Sequence, residues 1–291
     1  MTELYDFEAD PGLLDPPLIL GLDGWIDAGM GAGGATATLL DKHSTSLVAT
    51  FDTDRLLDHR ARRPTMLLED GVISDLRWPR IELRAGSDSK GNGMLLLVGA
   101  EPDHLWHAFT ESVVDLALEL GVRMVVGLGA YPAPVPHTRP VQLSCTASSD
   151  ELAARIGFLR GSLEVPAGVQ AAIEQHAHAV GIPAVGAWAQ VPHYTAAMPY
   201  PAASLALIEA AAELTGLSLD TGDLAAEAGS TGTRIDELVQ GNEEHAAMVH
   251  ALELQADATP SPADLPSGDE LAAELERFLR DQPPGSSGTS G

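Results

Sequence analysis

Short unbroken apolar runs alternate with helical periodicity through residue 215. Leu18–Leu22, Met94–Val98, Val122–Leu128 and Ala184–Gln190 are apolar on consecutive positions, as expected of strands buried on both faces. Ser46–Phe51, Thr65–Glu69, Arg80–Arg84, Val141–Thr146 and Phe158–Val165 read as further strands. Between them lie a small-residue helix from about Ala28 to Lys42 and amphipathic stretches at His104–Leu120, Ala167–Val180 and Pro201–Thr215. Ser148–Glu151 opens a short helix with a capping pattern. This alternation predicts a three-layer α/β/α domain with a mainly parallel central sheet.

From Gly216 the pattern is helical only. Asp220–Ala228 and Thr233–Ala256 are expected as helices, the second with an apolar stripe of Ile235, Leu238, Val239, Ala246, Val249 and Leu252. The chain therefore divides into an α/β domain (1–215), a helical extension packed on it or on another subunit (216–256), and a flexible tail (257–291) in which Asp269–Arg280 forms at most a short helix. Met1–Pro17 reads as an acidic arm.

The stretch Arg123–Cys145 organises the chain. A buried strand ends at Gly127-Leu128-Gly129, prolines 132, 134, 136 and 140 stiffen the loop that follows, and a second strand begins at Val141. His137, Thr138 and Arg139 ride on that loop. Polar groups at the carboxyl ends of strands are where an open α/β sheet places its site. The strand ends after Leu22, Val98, Leu128 and Gln190 are expected to converge on one crevice. Its candidates are Asp23, Trp25, Asp27, Glu101, His104, Tyr131, His137, Arg139, His193 and Tyr194. Arg139 is expected to pair with Asp23, Asp27 or Glu101, and Asp27 to cap the first helix.

Composition narrows the function. The 291-residue chain is 45% apolar, enough for a core without disulfides, and its formal charge is −26. That charge argues against nucleic acid and anionic membranes as partners. The one cysteine, Cys145, and the lack of a leader or bilayer-length apolar run predict a cytoplasmic protein. Lys42 and Lys90 are the only lysines, and neither lies in a phosphate-binding loop. Gly29, Gly31 and Gly34 match Gly-x-Gly-x-x-Gly, but Gly24-Trp25-Ile26-Asp27-Ala28 intervenes before the first of them. The spacing fits a helix lying close on the sheet better than a dinucleotide fingerprint. Arg60, Arg62 and Arg63 form a lone basic cluster, read as ion-paired surface at a subunit contact or as an anion site. His104 and His107 are one turn apart with no third ligand implied, so no metal and no cofactor is expected.

Several landmarks together resemble one family: Gly24-Trp25-Ile26-Asp27-Ala28-Gly29, Gly99-Ala100-Glu101-Pro102-Asp103, Gly127-Leu128-Gly129-Ala130 with Thr138-Arg139-Pro140, Pro192-His193-Tyr194, and Pro199-Tyr200-Pro201-Ala202. The chain is similar to the proteasome assembly chaperone family of the second type, in its longer bacterial form, over about residues 15 to 255. The resemblance implies a fold like that of nucleoside phosphorylases and hydrolases, a proteasome-related protein partner, and a homo-oligomer, a trimer as first expectation. Some bacterial members carry an ATP-grasp ligase label, which the scarcity of lysines here does not support. Relatives that dock through a hydrophobic-Tyr-any C-terminus differ from this sequence, which ends Thr-Ser-Gly, so docking through the tail is not expected.

Two functions follow. One is a non-catalytic protein-binding or assembly factor. The other is an enzyme acting on a small anionic or nucleoside-like substrate. In the enzyme reading Arg139 holds the anion, His137 or His193 is general acid or base, and Glu101 or Asp27 orients it. Cys145, within a predicted strand, is a poor nucleophile.

Overall fold

The computed structural model describes residues 4–24, 26–150, 152–153 and 164–258. Ten strands are described. They are β1 (Tyr5–Phe7), β2 (Pro17–Asp23), β3 (Thr45–Phe51), β4 (Thr65–Glu69), β5 (Val72–Arg77), β6 (Ile81–Ser87), β7 (Gly93–Ala100), β8 (Met124–Ala133), β9 (Leu143–Ala147) and β10 (Ala184–Pro192). The helices are α1 (Gly31–Lys42), α2 (Thr53–Leu56), α3 (Trp106–Glu119), α4 (Val169–Ala179), α5 (Pro201–Thr215), α6 (Leu224–Gln240) and α7 (Glu243–Ala258).

Eight strands form one sheet in the order β1-β3-β6-β7-β2-β8-β10-β9. The four consecutive apolar runs are its centre, and β7, β2, β8 and β10 pair with one another in parallel. Antiparallel strands extend both flanks: β6, β3 and β1 beyond β7, and β9 beyond β10. Alternate residues face opposite layers. Leu18, Leu20, Leu95 and Leu97 pack with Phe109, Val113 and Ile173 under α3 and α4. Ile19, Leu96, Val126 and Ala187 pack with Leu39, Ala203 and Leu207 under α1 and α5. The three-layer α/β/α architecture with a parallel centre is what the apolar runs dictate.

Small residues set the layer spacing. A Cβ on Gly34 would lie 2.4 Å from the Ser204 hydroxyl, and one on Gly31 2.8 Å from Ala130 Cβ. The Gly-x-Gly-x-x-Gly match therefore serves the packing of α1 on the sheet and on α5. On the other face, a Cβ on Gly127 would fall 2.5 Å from a Glu174 carboxylate oxygen. The bare backbone leaves a floor for this side chain. Glu174 is 8% exposed, accepts a hydrogen bond from Gln170 at 2.9 Å, and is also bonded to Thr146.

Four boundaries differ from the sequence reading. The supposed acidic arm contributes β1, because buried Leu4 and the Tyr5–Phe51 register tie it to the β3 edge. β8 continues through Pro132 to Ala133. Past Gly127 it has no partner on its β2 side except a bridge from Asp27 to Ala130, and a proline is tolerated on such a local edge. Residues 72–77 form β5, which pairs only with β4. The C-terminal helices break at Gly241-Asn242, not between 228 and 233. Asn242 caps α7 by accepting from the amides of Glu244 and His245, and Gly229 and Gly232 are carried inside α6. Of the expected stripe, Ile235, Val249 and Leu252 are buried, whereas Leu238 and Ala246 face solvent. The expected short helix after Ser148, the strand after Phe158 and the tail from Thr259 lie wholly or mostly outside the described residues.

Burial raises the Glu174 carboxyl from 4.5 to about 7, more than its hydrogen bonds from Gln170 and Thr146 lower it. An acid whose folded pKa is raised costs nothing below the unfolded pKa. It destabilises the fold increasingly as pH climbs from 4.5, fully so above about 7. The expected outcome for Glu174→Gln is unchanged stability at pH 4 and a gain of about 3 kcal/mol at pH 8, checked by urea unfolding at both values.

Candidate functional site

The carboxyl ends of β2, β7, β8 and β10 share one edge of the sheet, and the connections that leave them are bound to each other by main-chain hydrogen bonds. Glu101 N–H donates to the Asp23 carbonyl at 2.6 Å. Gly29 N–H donates to the Ala196 carbonyl, and Tyr200 N–H to the Gly29 carbonyl, both at 2.8 Å. Tyr200 is buried, which pushes its phenol up to about 12. The segments Ile26–Gly29 and Ala196–Tyr200 thus form one clamp.

Asp27 caps α1 from farther back than expected. A 3-10 turn at Ala28–Met30 precedes the helix, with Gly29 and Met30 both left-handed (φ 63° and 53°). That reversal lets the carboxylate reach the amides of Ala32 (2.7 Å) and Gly33 (2.9 Å). Burial raises the Asp27 pKa in spite of those bonds. Glu101 does the same for a second helix, accepting from Val169 N–H at 2.7 Å where α4 begins. Two helix N-termini that would otherwise attract an anion are filled by the chain's own carboxylates.

Asp23 lies beside them. Its pKa is raised first by partial desolvation, though the residue stays exposed, and second by the Asp27 charge, and Arg62 partly offsets this. Arg62 comes from the basic cluster and also meets Asp103, its Nε 3.3 Å from both carboxylate oxygens. Sequence reading placed that arginine at a subunit surface or an anion site; the nearer role is to balance Asp23 and Asp103. The side chains of Asp23, His104 and His193 make no hydrogen bond to the described residues, and all three are exposed. Trp25 lies outside the described residues.

The proline loop does something else. His137 is 2% exposed in its side chain, and both its ring nitrogens are engaged, by the Tyr194 hydroxyl at 2.8 Å and by Asp236 at 3.0 Å. Tyr194 also accepts from the His137 amide at 2.8 Å. Thr138 donates to Glu253 at 2.6 Å. Arg139 is fork-bonded to Asp257 at 2.8 and 2.7 Å, with Glu253 at 3.5 Å. The expected partner of Arg139 was Asp23, Asp27 or Glu101; its carboxylates come instead from α7. A planar guanidinium takes a bidentate carboxylate where one is offered, and α7 offers it. The loop is a latch for the C-terminal helices, and α7 is held at Asp257, beyond the boundary expected at 256.

Tyr131 stands apart from both groups, on the α4 face of the sheet. Its hydroxyl is 2.8 Å from Ser144, which also accepts from Gln190 at 3.1 Å. Cys145 faces the other layer, and burial pushes its thiol up. Among the described residues no group of three or more His, Cys, Asp or Glu is placed to hold a metal ion. No helix among them is long and apolar enough to cross a membrane. Sequence reading missed Asp236, Glu253 and Asp257. A signal existed for the first two, since each directly follows a residue of the apolar stripe, Ile235 and Leu252.

Asp27→Ala should lower stability by about 1–2 kcal/mol through loss of the α1 cap, read from denaturant midpoints. Arg139→Met should leave β8 and β10 amides protected while α7 amides exchange faster, read by hydrogen exchange; uniform protection throughout α7 would show that the latch carries no load.

No curated protein matches the sequence. Among solved structures, a Mycobacterium tuberculosis protein of unknown function is 38% identical with a TM-score of 0.83, over 89% of this chain and 92% of that one. A proteasome-assembly chaperone homologue from the same organism is 31% identical with a TM-score of 0.73, over 80% and 99%. An archaeal proteasome activator from Pyrococcus furiosus, 15% identical with a TM-score of 0.63 over 82% and 99%, shares the fold. The family model for PAC2 matches residues 21–239, from the end of β2 to the end of α6, so the clamp, the caps and the latch all lie in or beside the matched span, and the chain belongs to the PAC2 family.

Proposed function

We propose that this chain is a non-catalytic assembly factor that binds a proteasome-related protein and works as a homo-oligomer, with a trimer as the first expectation. The observation that carries the reading is the prior engagement of the groups a catalyst would need. Asp27 and Glu101 are spent on helix amides, His137 on Tyr194 and Asp236, and Arg139 on Asp257. None of these four is left to hold an anion or to move a proton; of the acid–base candidates His193 alone stays open, without the Arg139 anion holder the enzyme reading gives it. The likeness to the M. tuberculosis proteasome-assembly chaperone homologue, 31% identical, supports this class of client.

The strand-end surface supports protein contact. Met30 and Leu105 precede α1 and α3, both with positive φ, and both are about half exposed (55% and 47%). A left-handed backbone is costly for such side chains, on the order of 1 kcal/mol each, and such cost concentrates at functional positions. The double variant Met30→Asn, Leu105→Asn keeps a residue at home in that conformation while removing apolar surface. Its melting temperature should hold or rise, and its capture of proteasome subunits in a pull-down should fall. A melting shift of the wild-type chain with nucleosides or small phosphorylated metabolites would move the reading to an enzyme.

A further inference from the structure

We propose that the end of this chain folds back on its own body, residues 269–280 seating an apolar face in the groove between β9 and α5. The contact needs no client and no second copy.

β9 is the last strand of the main sheet and pairs only with β10. The helix on this side, α5, lies over β8 and β10. Between α5 and β9 runs a groove of about 620 Å³. Leu143 and Cys145, alternate residues of β9, line one side, and Ala210 and Leu214 of α5 line the other, with Met124 and Val185 between them. Leu143 is 38% exposed. Two charged groups join this apolar lining, Arg123 and Glu213, both exposed. Neither makes an ion pair with the described residues. Arg123 donates instead to the Thr215 carbonyl and lies 3.4 Å from the Met124 sulfur.

The chain itself supplies the occupant. Residues 259–291 lie outside the described residues and follow α7 directly. The end of α7 is pinned near the head of the groove, because Asp257 is fork-bonded to Arg139. Arg139 and Leu143 are four residues apart in sequence, so at most about 14 Å separates them. Residues 259–268 can span up to about 35 Å, enough to reach along the groove. Within 269–280, Leu271, Leu275, Phe278 and Leu279 recur at helical spacing. A helix of that length is about 18 Å long, against about 17 Å for the five residues of β9. Such a helix is marginal in water and needs a surface. Charge fits as well. At helical spacing Glu274 and Arg277 border the same side of the apolar stripe, an acid for Arg123 and a base for Glu213. Arg277 and Arg280 are the only arginines or lysines after Arg234, so no other segment of the tail brings a base to this acidic body.

The one thiol of the chain, Cys145, lines the groove and reports on it. In the full chain, Leu275→Asp with Phe278→Asp should make Cys145 react with N-ethylmaleimide about tenfold faster, because the groove then stands open. Circular dichroism and melting should match wild type, since the core is untouched. A synthetic peptide of residues 266–282, added to that variant, should restore the slow rate, and the same peptide carrying both aspartates should not. Leu275→Cys and, separately, Phe278→Cys should each form a disulfide with Cys145 within one chain under diamide, whereas Ser287→Cys should not. Equal alkylation rates in wild type and the double aspartate variant overturn the proposal. A disulfide from Ser287→Cys that forms as fast as the other two does the same. Disulfides that join two chains would give the groove to the tail of a second copy and overturn it too.

Discussion

Four parallel strands buried on both faces leave no room for polar backbone ends except at one edge, and that constraint shapes everything at the edge. Each connection from β2, β7 and β10 must turn back over the sheet and satisfy its own amides. Here the connections satisfy one another: Gly29 with Ala196 and Tyr200, Glu101 with Asp23, Asp27 with Ala32 and Gly33. Asp27, Gly29, Glu101 and Tyr200, which lie in segments that make the sequence resemble its family, are parts of this lattice. They hold the strand ends in a fixed arrangement without calling on a ligand.

This accounts for the mixture of polar groups and closed hydrogen bonds. Carboxylates at helix N-termini and an imidazole with both nitrogens occupied carry the signs of an active site when read along a sequence. In space they are braces. What remains open to a partner is different in kind: an unbonded acid at Asp23, two exposed histidines, and the apolar pair Met30 and Leu105.

The architecture was legible because short consecutive apolar runs bounded by turn residues favour a doubly covered strand, and all four such runs became neighbours. Asp27 was legible as a cap, since its position before a small-residue helix is local information. The partners of Arg139 were not, because Asp257 lies 118 residues away and no local pattern ties one charged surface residue to another at that distance. The helix break at Asn242 was missed by weighting the glycines at 229 and 232 above a capping asparagine. β5 was missed although Asp70-Gly71 announces a hairpin, since its exposed apolar residues do not alternate cleanly across the bulge.

The latch has a consequence in time. His137, Thr138 and Arg139 leave the ribosome about a hundred residues before Asp236 and more than that before Glu253 and Asp257. The sheet and the helices α1–α5 that cover it end by Thr215, so until α6 and α7 are made the proline loop must keep its shape with no partner but Tyr194. Four prolines between 132 and 140 do that work. The loop is a preset receptacle, and the last helices to be made find their socket already formed.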